Sequence, residues 1–137
     1  ANGLATLGGG GVVVRALLAD RDPLVRAAAL AALASVGYTD SDATAMQRAL
    51  TDNAWQIRQG AARGLAGAPA DIAVPVLSGA ISDPHLDVRK AAVLSLTRWA
   101  ATESAARDAL RTALDDGDAD VRAYARHALS RAHTAHV

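Results

Sequence analysis

Arginine is the residue whose type and spacing suggest chemistry most strongly in this chain of 137 residues. Four arginines each follow an aliphatic residue, as Val25-Arg26, Ile57-Arg58, Val88-Arg89 and Val121-Arg122. A guanidinium group binds carboxylates or phosphates through paired, charge-assisted hydrogen bonds. These four side chains therefore need acidic partners, either within the chain or in a ligand.

Motifs for catalysis or metal binding are absent from the sequence. It contains no G-x-S-x-G, P-loop or H-E-x-x-H motif, and the lack of cysteine excludes thiolate chemistry. The segment 116–120 opens like a calcium loop, but Val121 replaces its glycine and His127 its glutamate. His133 and His136 fit one helical face without a matching carboxylate. We predict no enzyme activity, no metal site and no cofactor.

Composition and charge narrow the class of protein further. Basic and acidic residues number 14 each, which argues against a polybasic nucleic-acid binder. Hydrophobic residues make up 51% without any phenylalanine, so we expect closely packed helices with Ala, Leu and Val in the core. Arg15 interrupts the longest apolar run, residues 12–18, so we expect no membrane span. The N-terminus has no signal-peptide pattern, and we predict a cytoplasmic location.

A pattern of about 32 residues recurs four times. The four aliphatic–arginine pairs are separated by 32, 31 and 33 residues. In register with them stand an aspartate five residues before (Asp20, Asp52, Asp83, Asp116), an alanine four after (Ala29, Ala61, Ala92, Ala125) and a leucine eight after (Leu33, Leu65, Leu96, Leu129). The apolar spacing predicts two helices per repeat, and the repeats cover about 12–37, 40–67, 70–100 and 102–132.

Capping residues and glycines predict where these helices begin, end and touch. Asp22-Pro23 and Asp83-Pro84 each resemble a helix N-cap followed by proline in the first turn. Gly37 and Gly67 suit helix C-termini. Gly60 and Gly64 lie inside a predicted helix and must be tolerated there because a neighbouring helix packs closely against them.

The turn aspartate followed by Val-Arg-x-x-Ala-x-x-x-Leu, clear between Asp83 and Leu96, resembles the HEAT repeat, in particular the HEAT-like repeats of phycobilin (PBS) lyase subunits. The resemblance implies an all-α, right-handed α-solenoid, an armadillo-like α-α superhelix of about four helix pairs whose second helices line a concave surface. It also implies that the turn aspartates and the arginines of adjacent repeats form a hydrogen-bonded ladder. That ladder would comprise Asp20, Arg26, Asp52, Arg58, Asp83, Arg89, Asp116 and Arg122.

The N-terminal end of the array differs from its C-terminal end. Residues 1–11 form a glycine-rich segment that we interpret either as an irregular terminus or as the tail of a preceding repeat, with the run Gly8–Gly11 as the loop between repeats. The repeat domain then covers 12–137. The helix at Val12–Leu18 is almost entirely apolar. We therefore expect an additional repeat, another chain or self-association to cover it.

Nine of the fourteen basic residues fall on the second helices, which predicts a locally basic concave face. Projection of these helices, together with the position of Trp55, selects the contact residues Trp55, Gln59, Arg63, Lys90, Leu94, Arg98, His127 and Arg131. The predicted function is a non-catalytic scaffold that binds a protein or peptide, preferably an acidic one, along this face.

Two alternatives to the scaffold stay open at this stage. The basic second helices could bind the phosphate backbone of a nucleic acid, although few aromatic residues accompany them for base stacking. The resemblance to lyase subunits implies an accessory subunit of a lyase-type enzyme, although the sequence identifies no chromophore site.

Overall fold

The computed structural model describes the backbone of residues 9–136 and the side chains of residues 10–132. Residues 9–136 form eight α-helices, and no β-strand occurs within that range. The helices are α1 (Gly9–Leu17), α2 (Pro23–Val36), α3 (Asp40–Ala49), α4 (Trp55–Gly64), α5 (Ala70–Ala80), α6 (Leu86–Leu96), α7 (Ser104–Ala113) and α8 (Ala119–His136). Short 3₁₀ helices, Leu65–Gly67 and Thr97–Trp99, follow α4 and α6. The predicted all-α fold is confirmed.

The chain divides into two compact units, and the first is Ala1–Ala68. Within it, α2 packs against α1 and most extensively against α4, while α3 packs against α4. Because α2 and α4 are the second helices of their pairs, the contact between neighbouring repeats is made mainly by second helices. The buried core of this unit includes Leu30, Leu33, Met46, Ile57, Ala61 and Leu65.

The second unit is Pro69–Val137. Here α6 packs against α5, α7 and α8, and α7 also contacts α5 and α8. Its core includes Leu77, Val88, Val93, Leu96, Leu110 and Val121. The buried apolar residues of both units are mostly alanine, leucine and valine, as the composition predicts. None of the helices in the described part of the chain is long and apolar enough to cross a membrane.

The glycines inside α4 are explained by the close approach of α2, as predicted. A β-carbon added at Gly60 would lie 2.8 Å from the Cα of Ala27 and would clash with the Ala27 carbonyl oxygen. A β-carbon at Gly64 would clash with the carbonyl oxygen of Leu30 and lie 2.8 Å from Cε of Met46. Glycine is required here because even one methyl group would push the two helices apart.

One of the two predicted N-caps is correct and the other is wrong. The side chain of Asp22 accepts a hydrogen bond from the Leu24 backbone N–H and caps α2, with Pro23 as its first residue. Asp83 does not cap α6. The cap is His85, whose Nδ1 accepts a hydrogen bond from the backbone N–H of Asp87 at 3.1 Å. Asp83 occupies the turn position two residues earlier, the position of Asp20 in the first repeat.

The glycines near helix ends have different roles. Gly37 ends α2 with φ of +96°, a conformation that favours glycine, so the predicted C-cap is confirmed. Gly67 has no positive φ. Glycine is required there because a β-carbon would lie 2.6 Å from the Cα of Ala34. The prediction of a loop at Gly8–Gly11 is wrong for Gly9–Gly11, which lie in α1. The remainder of the predicted segment, 1–8, lies outside the described residues.

Candidate interaction surface

Each of the four turn aspartates fixes the turn between the two helices of its repeat. Its Oδ1 accepts a hydrogen bond from the backbone N–H two residues later, which is an Asx turn. The pairs are Asp20–Asp22 and Asp52–Ala54 at 2.8 Å, Asp83–His85 at 2.8 Å and Asp116–Asp118 at 2.9 Å. These carboxylates therefore have a local structural role in all four repeats.

The four arginines also bind within their own repeats. Their Nη1 groups donate hydrogen bonds to the backbone carbonyl oxygens of the turn aspartates. The pairs are Arg26–Asp20 at 2.9 Å, Arg58–Asp52 at 2.8 Å, Arg89–Asp83 at 3.1 Å and Arg122–Asp116 at 2.8 Å. All four arginines are half-buried at the starts of the second helices. Each arginine thus fastens its second helix to the preceding turn.

The ladder between adjacent repeats differs between the two units. In the second unit, Arg89 donates from Nε to Oδ2 of Asp116 at 2.9 Å and from Nη2 to Oδ1 at 3.4 Å. In the first unit, no hydrogen bond or ion pair joins the described side chains of Arg26 and Asp52. Both of them line a pocket instead. The ladder that the resemblance implies therefore lacks its hydrogen bonds between Arg26 and Asp52.

The contact residues predicted in the first unit lie on α4. Trp55 and Gln59 are half-buried, whereas Arg63 is exposed and makes no hydrogen bond or ion pair with another described residue. The corresponding positions of α2 hold only alanine and serine. Arg63 is thus the single exposed charge among the three predicted contact residues of this unit.

In the second unit, the predicted contact residues lie on two helices that pack side by side. Lys90, Leu94 and Arg98 follow one face of α6 and its 3₁₀ extension, with Leu94 55% exposed. His127 and Arg131 are exposed on α8, one helical turn apart. These five residues are called the α6–α8 face below.

An ion pair joins the two helices of the α6–α8 face. Nζ of Lys90 lies 3.1 Å from Oδ2 of Asp120, the acidic residue in the first turn of α8. The hydrogen bond to Asp120 raises the pKa of Lys90. The positive charge that the sequence predicts at Lys90 is consequently balanced by a neighbour. The positive character of this face therefore depends less on Lys90 and more on its two arginines, of which Arg131 is exposed on α8.

The two tryptophans have different environments. Trp99 is 6% exposed and belongs to the core, with the guanidinium carbon of Arg98 4.9 Å from its ring centre. This cation–π contact holds Arg98 beside the face while its side chain stays exposed. Trp55 is only half-buried at the first residue of α4.

The carboxylates of segment 116–120 are directed toward backbone groups, toward Arg89 and toward Lys90. Asp116 closes its Asx turn and binds Arg89. Asp118 caps α8, since its Oδ2 accepts hydrogen bonds from the backbone N–H groups of Asp120 at 2.9 Å and Val121 at 3.1 Å. A calcium loop would need these oxygens to converge on one point, so the arrangement acts as a helix start.

Sequence reasoning missed the most deeply buried charge in the described part of the chain. The side chain of Asp42 is 3% exposed and binds Arg15 of α1 through two hydrogen bonds, at 3.0 and 2.9 Å. The hydrogen bonds from Arg15 lower the pKa of Asp42, and those from Thr39 assist. Thr39 and Asp42 form a capping box, whose spacing of three residues is the signal in the sequence.

The comparison with known families agrees with the helix pairs. The family of HEAT repeats matches residues 12–66 and 43–130, which together include most of the chain. A search of curated proteins finds no match. The repeated turns, the paired helices and this match together confirm the predicted fold class, that of the HEAT-like α-solenoids. The chain belongs to the HEAT-repeat family.

Proposed function

We propose that the chain is a non-catalytic, cytoplasmic scaffold that binds an acidic segment of a partner protein through the α6–α8 face. The observation that carries this proposal is the exposure of Leu94 between Lys90 and Arg98 on one side of α6. Proteins of the HEAT-repeat family are commonly interaction scaffolds. An exposed apolar anchor with flanking cations suits a partner segment that alternates aliphatic and acidic residues.

The energetics of such a contact favour Leu94 as the anchor. Full burial of a leucine side chain contributes about 1.5–3 kcal/mol, whereas exposed ion pairs contribute about 0.2–1 kcal/mol each. Arg98 and Arg131 would therefore set orientation and association rate more than affinity. Trp55, Gln59 and Arg63 on α4 would form a second contact set, with a half-buried aromatic residue and an exposed cation about two helical turns apart.

Binding of a nucleic acid is the first alternative. Arg63, Arg98 and Arg131 would supply phosphate contacts. However, Trp99 is buried and none of the five residues of the α6–α8 face is aromatic, so these residues offer no ring on which a base could stack. An accessory subunit of a lyase-type enzyme, as in the phycobilin lyase group of HEAT-like proteins, is the second alternative and rests on the sequence resemblance alone.

A quantitative pull-down with paired variants tests the proposal. The bait variant Leu94→Ser/Arg131→Glu should lose its protein partners, because both the apolar anchor and one cation are removed. The control variant Arg111→Glu changes another exposed arginine, on α7, which forms an ion pair with Asp108. It should retain the same partners. Equal recovery of partners by both variants would contradict the proposal.

Salt dependence distinguishes the protein partner from a nucleic acid. Apolar docking of an aliphatic segment should weaken only modestly between 50 and 200 mM salt, whereas contacts to several phosphates should weaken by orders of magnitude. Recovery of nucleic acid that is lost on nuclease treatment and at moderate salt would favour the alternative.

A further inference from the structure

A pocket of about 170 Å³ lies in the first unit, where the first and second repeats meet. Eight residues line it, five of them apolar and three charged. The apolar residues are Leu18, Leu30, Ala45, Ala49 and Ile57, and the charged ones are Arg26, Arg48 and Asp52. The pocket thus combines an apolar wall with two guanidinium groups and one carboxylate. Nothing in the proposed scaffold function uses it.

Comparison of two repeats of the same chain shows what is special about this pocket. Arg89 uses Nη1 to hold its own turn and uses Nε and Nη2 to bind Asp116. Arg26 uses Nη1 in the same way, toward the carbonyl oxygens of Asp20 and Arg21. Its Nε and Nη2, however, have no acceptor among the described residues. The edge of the guanidinium group that binds a carboxylate in the third repeat is therefore available in the first.

The other two charged residues give the pocket a net positive charge. The guanidinium group of Arg48 makes no hydrogen bond or ion pair with another described side chain, and Arg48 is exposed. Asp52 uses Oδ1 for its Asx turn with Ala54. Two cations and one anion leave one positive charge, so a ligand with a single negative charge would balance the pocket.

We infer that this pocket binds a small aliphatic carboxylate. The carboxylate group would take the place that Asp116 has on Arg89, with two parallel hydrogen bonds from Nε and Nη2 of Arg26. Arg48 would supply a second charge. The aliphatic part of the ligand would lie against Leu18, Leu30 and Ile57, where burial of each methylene contributes to affinity.

The size of the pocket limits the ligand to a few carbon atoms. Pockets for drug-sized ligands start at roughly 300 Å³, and this one is about half as large. A branched acid of six carbons, 4-methylpentanoate, is a suitable probe. A ligand this small is expected to bind with a Kd on the order of 1 mM.

Titration followed by NMR of the full chain tests the inference. Addition of 4-methylpentanoate should shift the methyl signals of Leu18, Leu30 and Ile57 with saturation, while the neutral analogue 4-methylpentanamide should cause no saturable shift. Absence of saturation by the acid up to about ten times the expected Kd, or equal binding of acid and amide, would overturn the inference.

Substitutions of the two pocket arginines, with a matched control, test which side chains bind the carboxylate. Arg26→Lys keeps the charge but loses the paired hydrogen bonds, and it should weaken binding about tenfold. Arg122→Lys is the control, since Arg122 holds its own turn in the same way but lines no part of this pocket. Arg48→Gln, at an exposed position of α3, should weaken binding without loss of thermal stability. Unchanged affinity in both Arg26→Lys and Arg48→Gln would overturn the assignment.

An ion pair between Arg26 and Asp52 in solution is the competing explanation. If Arg26 bound Asp52 in solution as Arg89 binds Asp116, the native protein would not bind the acid at all. The open pocket instead predicts binding by the native protein, and several-fold tighter binding by Asp52→Asn because repulsion between two carboxylates is removed.

Two sources could supply the same chemistry, a free acid or the C-terminus of a protein chain. An acetylated tetrapeptide of three glycines and a C-terminal leucine separates them. Tighter binding of this peptide than of 4-methylpentanoate would assign a chain end, and weaker binding would assign a free acid. The same peptide with an amidated C-terminus should not bind. Binding of the amidated form would overturn the inference.

Discussion

Arg15 and Asp42 join three helices of the first unit through one guanidinium group. Nε and Nη2 of Arg15 bind the two carboxylate oxygens of Asp42 at 3.0 and 2.9 Å, and Nη2 also donates to the carbonyl oxygen of Gly37 at 2.8 Å. Asp42 in turn accepts hydrogen bonds from the backbone N–H and hydroxyl of Thr39. The end of α2, the start of α3 and the last turn of α1 are therefore held at one point.

Substitution Asp42→Asn should lower the free energy of unfolding by roughly 2 kcal/mol, because hydrogen bonds to charged groups are lost in a buried position. Urea denaturation at pH 7 measures this change. Asp108→Asn is the control, since Asp108 forms an exposed ion pair with Arg111, and the change should stay within about 0.5 kcal/mol. Equal effects of the two substitutions would contradict the structural role of Asp42.

The stability of the protein should also depend on pH through Asp42. The pKa of Asp42 is lowered in the folded state, so its contribution is present above the unfolded value of about 4 and is lost as pH falls through the folded value. Between pH 5 and strongly acidic pH, the native protein should therefore lose more stability than Asp42→Asn. Parallel pH profiles of unfolding for the two proteins would show that the carboxylate carries no such linkage.

Glycines in α4 should respond to alanine in the opposite sense from a glycine in α5. Gly60→Ala should destabilise the protein by about 1–3 kcal/mol, because the added methyl group meets the backbone of Ala27. Gly79→Ala should stabilise it by about 0.5–1 kcal/mol, since that position is helical, exposed and open. Thermal unfolding measures both changes. A stabilising effect at Gly60 would contradict the close packing of α2 and α4.

Much of the fold could be predicted because the same positions are apolar or small at helical spacing in all four repeats. The alanine four residues after each aliphatic–arginine pair is buried in every repeat, at Ala29, Ala61, Ala92 and Ala125. Caps were less predictable, since an aspartate before a proline can serve either as a cap or as a turn residue. Asp22 caps α2, whereas Asp83 closes the turn and leaves the cap to His85.

The candidate site could be predicted only in part, because residue type alone does not decide which charges are balanced. Lys90 was selected for its outward position, but the register does not show that Asp120 of the next repeat lies 3.1 Å away. In the same way, the sequence pattern around Arg26 matches that around Arg89. Of these two arginines, Arg89 alone forms a hydrogen bond with the aspartate of the next repeat, Asp116. Side-chain distances across repeats depend on packing that a periodic sequence leaves open.

Double-mutant cycles should give different coupling energies for the pair Arg89–Asp116 and the pair Arg26–Asp52. Arg89→Ala and Asp116→Ala should show a coupling energy of about 1–3 kcal/mol, because the pair is largely shielded from solvent. Arg26→Ala and Asp52→Ala should show coupling near zero. Denaturant unfolding of the single and double variants measures both values. Similar coupling energies in the two cycles would mean that Arg26 binds Asp52 in solution as Arg89 binds Asp116.

The apolar face of α1 should cause association of the chain with itself. Val12, Val13 and Leu17 are 71%, 54% and 39% exposed on this short helix. Sedimentation velocity should reveal association that increases with concentration, and Val12→Ser/Val13→Ser should reduce it because the apolar area is lost. A native protein that stays monomeric at all concentrations would contradict this prediction.

Photo-crosslinking from two exposed leucines tests the proposed interaction surface most directly. Leu94 on the α6–α8 face and Leu24 at the start of α2 are 55% and 64% exposed, so they are matched in residue type and accessibility. A photoreactive amino acid at position 94 should crosslink a discrete protein partner in cells, and Arg98→Glu/Arg131→Glu should reduce that product because each substitution replaces attraction to an acidic segment by repulsion. The same amino acid at position 24 should not give it. Crosslinking of the same protein from position 24 but not from position 94 would contradict the assignment of the α6–α8 face.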